Sequence, residues 1–155
     1  MNILKKLIKN NDIKSGYKID NPDIFVPWEI SQSQFEALLK GHPFKKVTSN
    51  YYTIECTSLD GLNHMLGFHF ELIKGSILCH LKLLEFFREA YPDYEESFNE
   101  FQKYFTNRFG NPTKEYPINA EGFPAYEWSI GYIQIHHYIM DRFGLEERLF
   151  IKNVK

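Results

Sequence analysis

The sequence predicts a single α+β domain in which a long helix packs on one face of an antiparallel sheet of about five to six strands. The chain has 155 residues, close to the usual size of one domain, and 43% of them are hydrophobic. Aromatic residues make up 17% of the sequence, and they favour the half-buried surfaces of sheets. Two regions of period-two alternation flank one long amphipathic segment, a pattern typical of hairpins around a helix.

The predicted order of elements along this domain, residues 1–155, is α-α-β-β-β-α-β-β-β. Residues 2–9 place apolar residues at helical spacing among lysines, which predicts a short N-terminal helix. Residues 10–30 contain Asn21-Pro22 and Pro27 but no sustained period, and they are predicted to be a connecting arm. Residues 31–155 would then form the α+β body.

A second helix is predicted from clear capping signals. Ser31 suits the N-cap position, and Gln34 three residues later completes a capping box. Gly41 and Pro43 are expected to end the helix. Its predicted apolar face consists of Phe35, Leu38 and Leu39.

From Lys45 to about Phe87 the pattern has a period of two, which predicts strands. Lys74-Gly75 is a plausible two-residue hairpin turn, and this turn would pair Ile73 with Ser76. That register would bury Leu83 on the packed face and place His69 opposite His80. A second prediction for residues 77–90 is a helix, because leucine, glutamate and lysine are good helix formers.

The longest helix is predicted to begin near Pro92 and to end before Gly110 and Pro112. Acidic residues occupy its start and Arg108 its end, as the helix dipole favours. Its predicted buried stripe is aromatic and consists of Tyr94, Phe98, Phe101, Phe105 and Phe109.

A final hairpin is predicted around Ile130-Gly131, followed by a last strand over residues 147–151. Under that turn Trp128 would face Ile133, and Tyr126 would face Ile135.

Charge and hydropathy exclude several kinds of partner. The formal net charge is −2, and residues 1–18 carry +4 of it, so the rest of the chain carries −6. Because nucleic-acid binding needs clustered lysine and arginine, no nucleic-acid partner is expected. No stretch approaches the roughly 20 apolar residues that cross a membrane. With no secretory signal either, a cytoplasmic protein without membrane association is expected.

Acidic residues concentrate between positions 85 and 100, where six carboxylates stand against Arg88. Three of them fall on the side of the long helix opposite its aromatic stripe. This pattern predicts an electrostatic docking surface for a basic protein, and its simpler interpretation is a solvated helix face. The candidate partner-binding residues are Glu85, Glu89, Asp93, Glu96 and Glu100.

Candidate chemistry centres on His69 and His80, whose Cβ atoms would lie about 4.5 to 5.5 Å apart if the residues were directly opposite. The two imidazoles could share a metal ion, with Glu71 as a third ligand. An ordinary solvated pair is the other interpretation. Neither a glycine-rich phosphate loop nor a nucleophile elbow is present in the sequence. No cofactor is therefore expected.

Thiol or paired-histidine catalysis receives little support. Cys56 and Cys79 match no zinc or redox spacing, and Cys79 is predicted to be a small core residue. Adjacent strand residues point to opposite faces, so His136 and His137 would not act together. His137 shares its predicted face with isoleucines and is expected to be a core histidine.

Residues 91–151 resemble the small bacterial immunity proteins that neutralise a neighbouring toxin. The resemblance is carried by Arg108-Phe109-Gly110-Asn111-Pro112 at the helix end, by Tyr126-Glu127-Trp128 and by the Ile133–Ile139 strand. It implies a cytosolic α+β protein that acts by tight binding, often through an acidic surface against a basic nuclease toxin. The expected function is therefore a non-enzymatic, immunity-type inhibitor. The alternatives are a secretion chaperone for an effector protein, and a small-ligand or metal-dependent enzyme that uses His69 and His80.

Overall fold

The computed structural model describes residues 13–88 and 93–155, so the helix predicted over residues 2–9 lies outside the described residues. Its elements, in chain order, are β1 (Gly16–Ile19), β2 (Ile24–Pro27), α1 (Gln32–Leu38), β3 (Lys45–Thr48), β4 (Tyr51–Ser58), β5 (Leu62–Leu72), β6 (Cys79–Phe87), α2 (Tyr94–Phe109), β7 (Lys114–Tyr116), β8 (Ala125–Ile130), β9 (Ile133–Asp141) and β10 (Leu145–Asn153).

The predicted fold class is wrong, because the described chain is mostly β. It contains an eight-stranded antiparallel sheet and a separate two-stranded sheet, β1-β2, instead of five to six strands. The additional strands come from segments with weak sequence signals. The arm predicted over residues 10–30 contains β1 and β2, while β3 and β7 have four and three residues, too few to show a period of two.

The large sheet consists of two four-stranded meanders that meet at its centre. Its strand order is β3-β4-β5-β6-β10-β9-β8-β7. Each meander follows a helix along the chain, and the last strands of the two meanders, β6 and β10, pair antiparallel with Leu84 opposite Ile151. The first strands, β3 and β7, therefore form the two outer edges.

One face of this sheet is covered. The β1-β2 hairpin, α1 and α2 all contact side chains on that face: Tyr17 lies 5.4 Å from Phe86, and Phe35 lies 5.1 Å from Tyr52. The ring of Phe105 lies 5.7 Å from Phe86. These side chains belong to one hydrophobic cluster that includes residues of both meanders. We call the opposite side of the sheet, on which no described helix packs, the uncovered face.

Both helices of the sheet-covering layer follow their capping signals. The Ser31 hydroxyl accepts from the backbone of Gln34 while the Gln34 side chain accepts from the backbone of Ser31, which confirms the capping box. Asp93 is the N-cap of α2, and its carboxylate accepts from Glu96 N at 3.1 Å. The aromatic stripe is buried as predicted at four positions, but Tyr94 is 40% exposed. Tyr94, at the first helical position, lines an open pocket together with Glu85 of β6 and Glu146 of β10.

Both predicted hairpin registers are wrong. In the first, pairing begins with Leu72 opposite Cys79, and one extra residue in β6 forms a bulge after it. His69 consequently lies opposite Leu83, which faces away from the core. In the second, Trp128 pairs with Ile135 around a turn at Gly131. The described part of residues 77–90 contains the strand β6, so the helical alternative is also wrong.

Candidate protein-binding surfaces

The outer side of α2 carries the acidic surface that the sequence predicted, in part. Asp93, Glu95 and Glu96 are exposed at the start of the helix. Glu100, one turn further along, forms an ion pair with Arg88 at 2.7 Å. Neither Glu95 nor Glu96 forms an ion pair with another described residue. The uncompensated negative charge of this surface therefore lies in the first turn of α2.

The predicted set of five acids is divided by the structure. Glu85 lies on the uncovered face, because its neighbour Phe86 is the residue that points to the core and α2. Its carboxylate lies 3.0 Å from His69 Nε2 and 3.6 Å from Arg148 Nη1. The hydrogen bond from His69 and the charge of Arg148 hold the pKa of Glu85 below its ordinary value. Glu89 lies outside the described residues.

A cross-strand belt of polar and aromatic side chains runs over the uncovered face from β4 to β7. The rings of Tyr51 and His69 stack 4.1 Å apart, and those of His136 and Phe150 stack 4.9 Å apart. The belt consists of Tyr51, His69, Glu85, Arg148, Phe150, His136, Glu127 and Tyr116. The charged side chains of the belt, Glu85, Arg148 and Glu127, alternate in sign, so the belt shows no strong preference for a basic or an acidic partner.

The predicted His69–His80 pair does not form. His80 lies opposite Glu71, and its Nδ1 donates to the carbonyl of Glu29 at 2.9 Å. Within residues 13–88 and 93–155, no group of three or more histidine, cysteine, aspartate or glutamate side chains could hold a metal ion. The enzyme alternative that used His69 and His80 therefore loses its geometric basis.

A serine–histidine contact in the core was missed by the sequence analysis. Ser58 Oγ donates to His64 Nε2 at 2.6 Å, and His64 Nδ1 donates to the Met65 carbonyl at 2.9 Å. Burial lowers the pKa of His64 to about 4. Cys56, whose sulfur lies 4.0 Å from His64, has its pKa raised to about 12, again by burial. Both Ser58 and His64 are closed off from solvent, so the arrangement packs the core and offers no accessible nucleophile.

His137 is a core histidine, as predicted, with no exposed surface. Its ring stacks on Phe98 at 4.1 Å, and its Nδ1 accepts from Gln102 Nε2 at 2.5 Å. Its Nε2 lies 3.5 Å from a carboxylate oxygen of Glu147. Because burial lowers the pKa of His137, the ring is uncharged near neutral pH. It ties β9 and β10 to α2 without adding positive charge beneath the helix.

No model of a known protein family matches the chain, and no match is found among curated proteins or solved structures. Among the described residues, no helix is long and apolar enough to span a membrane. The geometry of the two exposed surfaces is therefore the basis for assigning a function.

Proposed function

We propose that this chain is a non-enzymatic protein-binding protein, an immunity-type inhibitor that neutralises a bacterial toxin by docking on the toxin's basic surface. The observation that carries this proposal is the exposed acidic start of α2, formed by Asp93, Glu95 and Glu96, none of which forms an ion pair with another described residue. A toxin that acts on nucleic acid needs clustered lysine and arginine to bind phosphates. An acidic surface on a rigid helix is complementary to such a cluster and would compete with the nucleic acid.

The position of α2 supports this role. Its aromatic side is anchored in the core through Phe101 and Phe105, which are 1% and 0% exposed. Its first turn is fixed by the Asp93 cap. A partner would therefore meet carboxylates carried by a backbone that is already fixed, and this preorganisation reduces the entropy lost on binding.

The test is co-expression and co-purification with the product of the neighbouring gene, followed by measurement of the dissociation constant. The double variant Glu95→Lys/Glu96→Lys should weaken binding by about 10-fold or more, mainly through a slower association rate that is sensitive to salt. The matched control is Glu55→Lys/Glu71→Lys, which reverses two exposed acids on the uncovered face.

Two results would contradict the proposal. Failure to form a complex or to relieve toxicity would remove the inhibitor function. If the Glu55→Lys/Glu71→Lys control lost binding while the α2 variant kept it, the uncovered face would be the contact surface instead.

A further inference from the structure

A groove of about 320 Å³ lies between the start of α2 and the segment that leads into β8. The side chains that matter for its chemistry are Glu95, Phe98 and Gln102 on the helix, and Glu121, Phe123 and Tyr126 on the opposite wall. Three of these are aromatic and two are carboxylates.

The opposite wall is held in place by Asn119. Its side-chain oxygen accepts from Glu121 N at 3.1 Å and from Phe123 N at 3.0 Å. Its amide nitrogen donates to the carbonyl of Ile139 in β9 at 2.8 Å. Because the wall is fastened to the sheet in this way, the groove is formed before any ligand binds.

Two partly exposed rings, Phe123 and Tyr126, line the groove, and the buried Phe98 packs against both of them. Phe98, which is 3% exposed, has its ring centroid 5.5 Å from that of Phe123 and 6.1 Å from that of Tyr126. The face of an aromatic ring has a negative electrostatic potential, which attracts cations. They also pack against the methylene stem of a long side chain.

The charge around the groove also favours a cation. Glu95 and Glu121 stand on its two walls, and neither forms an ion pair with another described residue. Behind Phe98 lies the buried His137 ring, stacked at 4.1 Å and hydrogen-bonded to Gln102. Burial lowers the pKa of His137, so this ring is neutral and does not oppose a bound cation.

We propose that this groove receives the cationic side chain of a lysine or arginine residue, presented by the toxin that the acidic surface of α2 binds. The inference rests on the proposed function, because it names the anchor residue type of that partner. Charge complementarity selects the occupant: an acidic or neutral side chain would leave two carboxylates without compensation at the contact.

A direct titration tests the groove without the partner. Nα-acetyl-arginine amide should shift the NMR resonances of residues around Tyr126, and the uncharged citrulline analogue should not. The variants Tyr126→Leu and Glu121→Gln should each weaken the binding of the arginine probe by about tenfold. Tyr116→Leu removes an exposed tyrosine on the uncovered face and should leave probe binding unchanged. Glu121→Gln keeps the shape of its side chain, so it serves if Tyr126→Leu fails to fold.

The same variants are then measured in the complex with the neighbouring gene product. Glu121→Gln should weaken that complex by about tenfold. A complex that forms with unchanged affinity in Glu121→Gln and Tyr126→Leu would overturn the anchor while leaving the inhibitor function intact. Absence of arginine-specific shifts near Tyr126 would overturn it as well. If the probe binds but no complex forms, the inhibitor function fails, and the groove is a site for a free cation rather than for a toxin side chain.

Discussion

His64 links the stability of the core to pH through a single buried ring. The neutral ring accepts a hydrogen bond from the Ser58 hydroxyl, and the pKa of His64 is about 4, compared with an ordinary value of 6.5. Between these two pH values the His64 side chain binds a proton more readily in the unfolded chain than in the folded one. Its contribution to the free energy of unfolding is therefore fully present above pH 6.5 and is lost as the pH falls towards 4. The loss across this window amounts to about 3 kcal/mol.

We predict that His64→Gln flattens this acid-side loss, because glutamine keeps a hydrogen-bonding side chain that does not titrate. Urea denaturation at both ends of the window would measure the effect. His42→Gln, at an exposed turn position, is the matched control and should retain the full slope. Burial also lowers the pKa of His137, so a weaker dependence of stability on pH should remain in His64→Gln. An unchanged slope in His64→Gln would show that His64 is not the source.

Gly67 makes room for the Tyr51 ring on the uncovered face. A Cβ atom at position 67 would lie 2.8 Å from that ring. Gly67→Ala should therefore displace Tyr51 and break its stack on His69, at a cost of about 1 kcal/mol. In a Tyr51→Ala background the same substitution should cost much less. A double-mutant cycle of unfolding free energies checks this coupling, and additive effects would contradict it.

Helix α1 shows how local signals determine an element. It has seven residues, too few to be stable alone, so its cap and the burial of Phe35 maintain it. Ser31→Ala removes the capping hydroxyl and should lower the free energy of unfolding by about 1 kcal/mol. Ser129→Ala, at an exposed position in β8 where the hydroxyl forms no hydrogen bond with a described residue, should change it little. Chemical denaturation of the two variants gives the comparison, and equal effects would argue against the cap.

Elements with local signals were predictable, and strand registers were not. The caps at Ser31 and Gly110 and the four buried phenylalanines of α2 follow from residues a few positions apart in sequence. The register of β5 and β6 depends on a six-residue connection, residues 73–78, where the sequence predicted a two-residue turn, and on a bulge next to His69. The predicted metal site at His69 and His80 depended on the predicted register, so the observed register removes it. The Cys56–His64 pairing, by contrast, could have been predicted from a three-residue loop, Leu59-Asp60-Gly61, between Ser58 and Leu62.

At the scale of the whole molecule, the pairing of β6 with β10 joins the two meanders. The sequence carries no signal for this contact, since the paired residues are more than sixty positions apart. The same is true of the orientation of Glu85, which points away from the core while its neighbour Phe86 packs against Phe105 of α2. The acidic surface was therefore predictable as a helix property but not as a property of residues 85–100 together.

The shared core predicts that both meanders unfold together. Trp28 packs beside the first meander and Trp128 lies in the second, and both are buried in one cluster. The single-tryptophan variants Trp28→Phe and Trp128→Phe should report coincident unfolding transitions. Ile151 lies where β10 pairs with β6. Adding Ile151→Ala to each variant should lower the free energy of unfolding by about 2 to 4 kcal/mol, equally in both. Val154→Ala, at a 46% exposed position, is the control. Transitions that separate would indicate two independent units.

The central position of β10, the last strand of this sheet in chain order, has a consequence for biosynthesis. While a ribosome extends the chain from its N-terminal side, β6 remains an unfilled edge until β10 has emerged. An open edge of this kind invites pairing with other nascent chains. The outer edge strands β3 and β7, by contrast, begin with Lys45 and Lys114. These charges discourage such pairing once translation is finished.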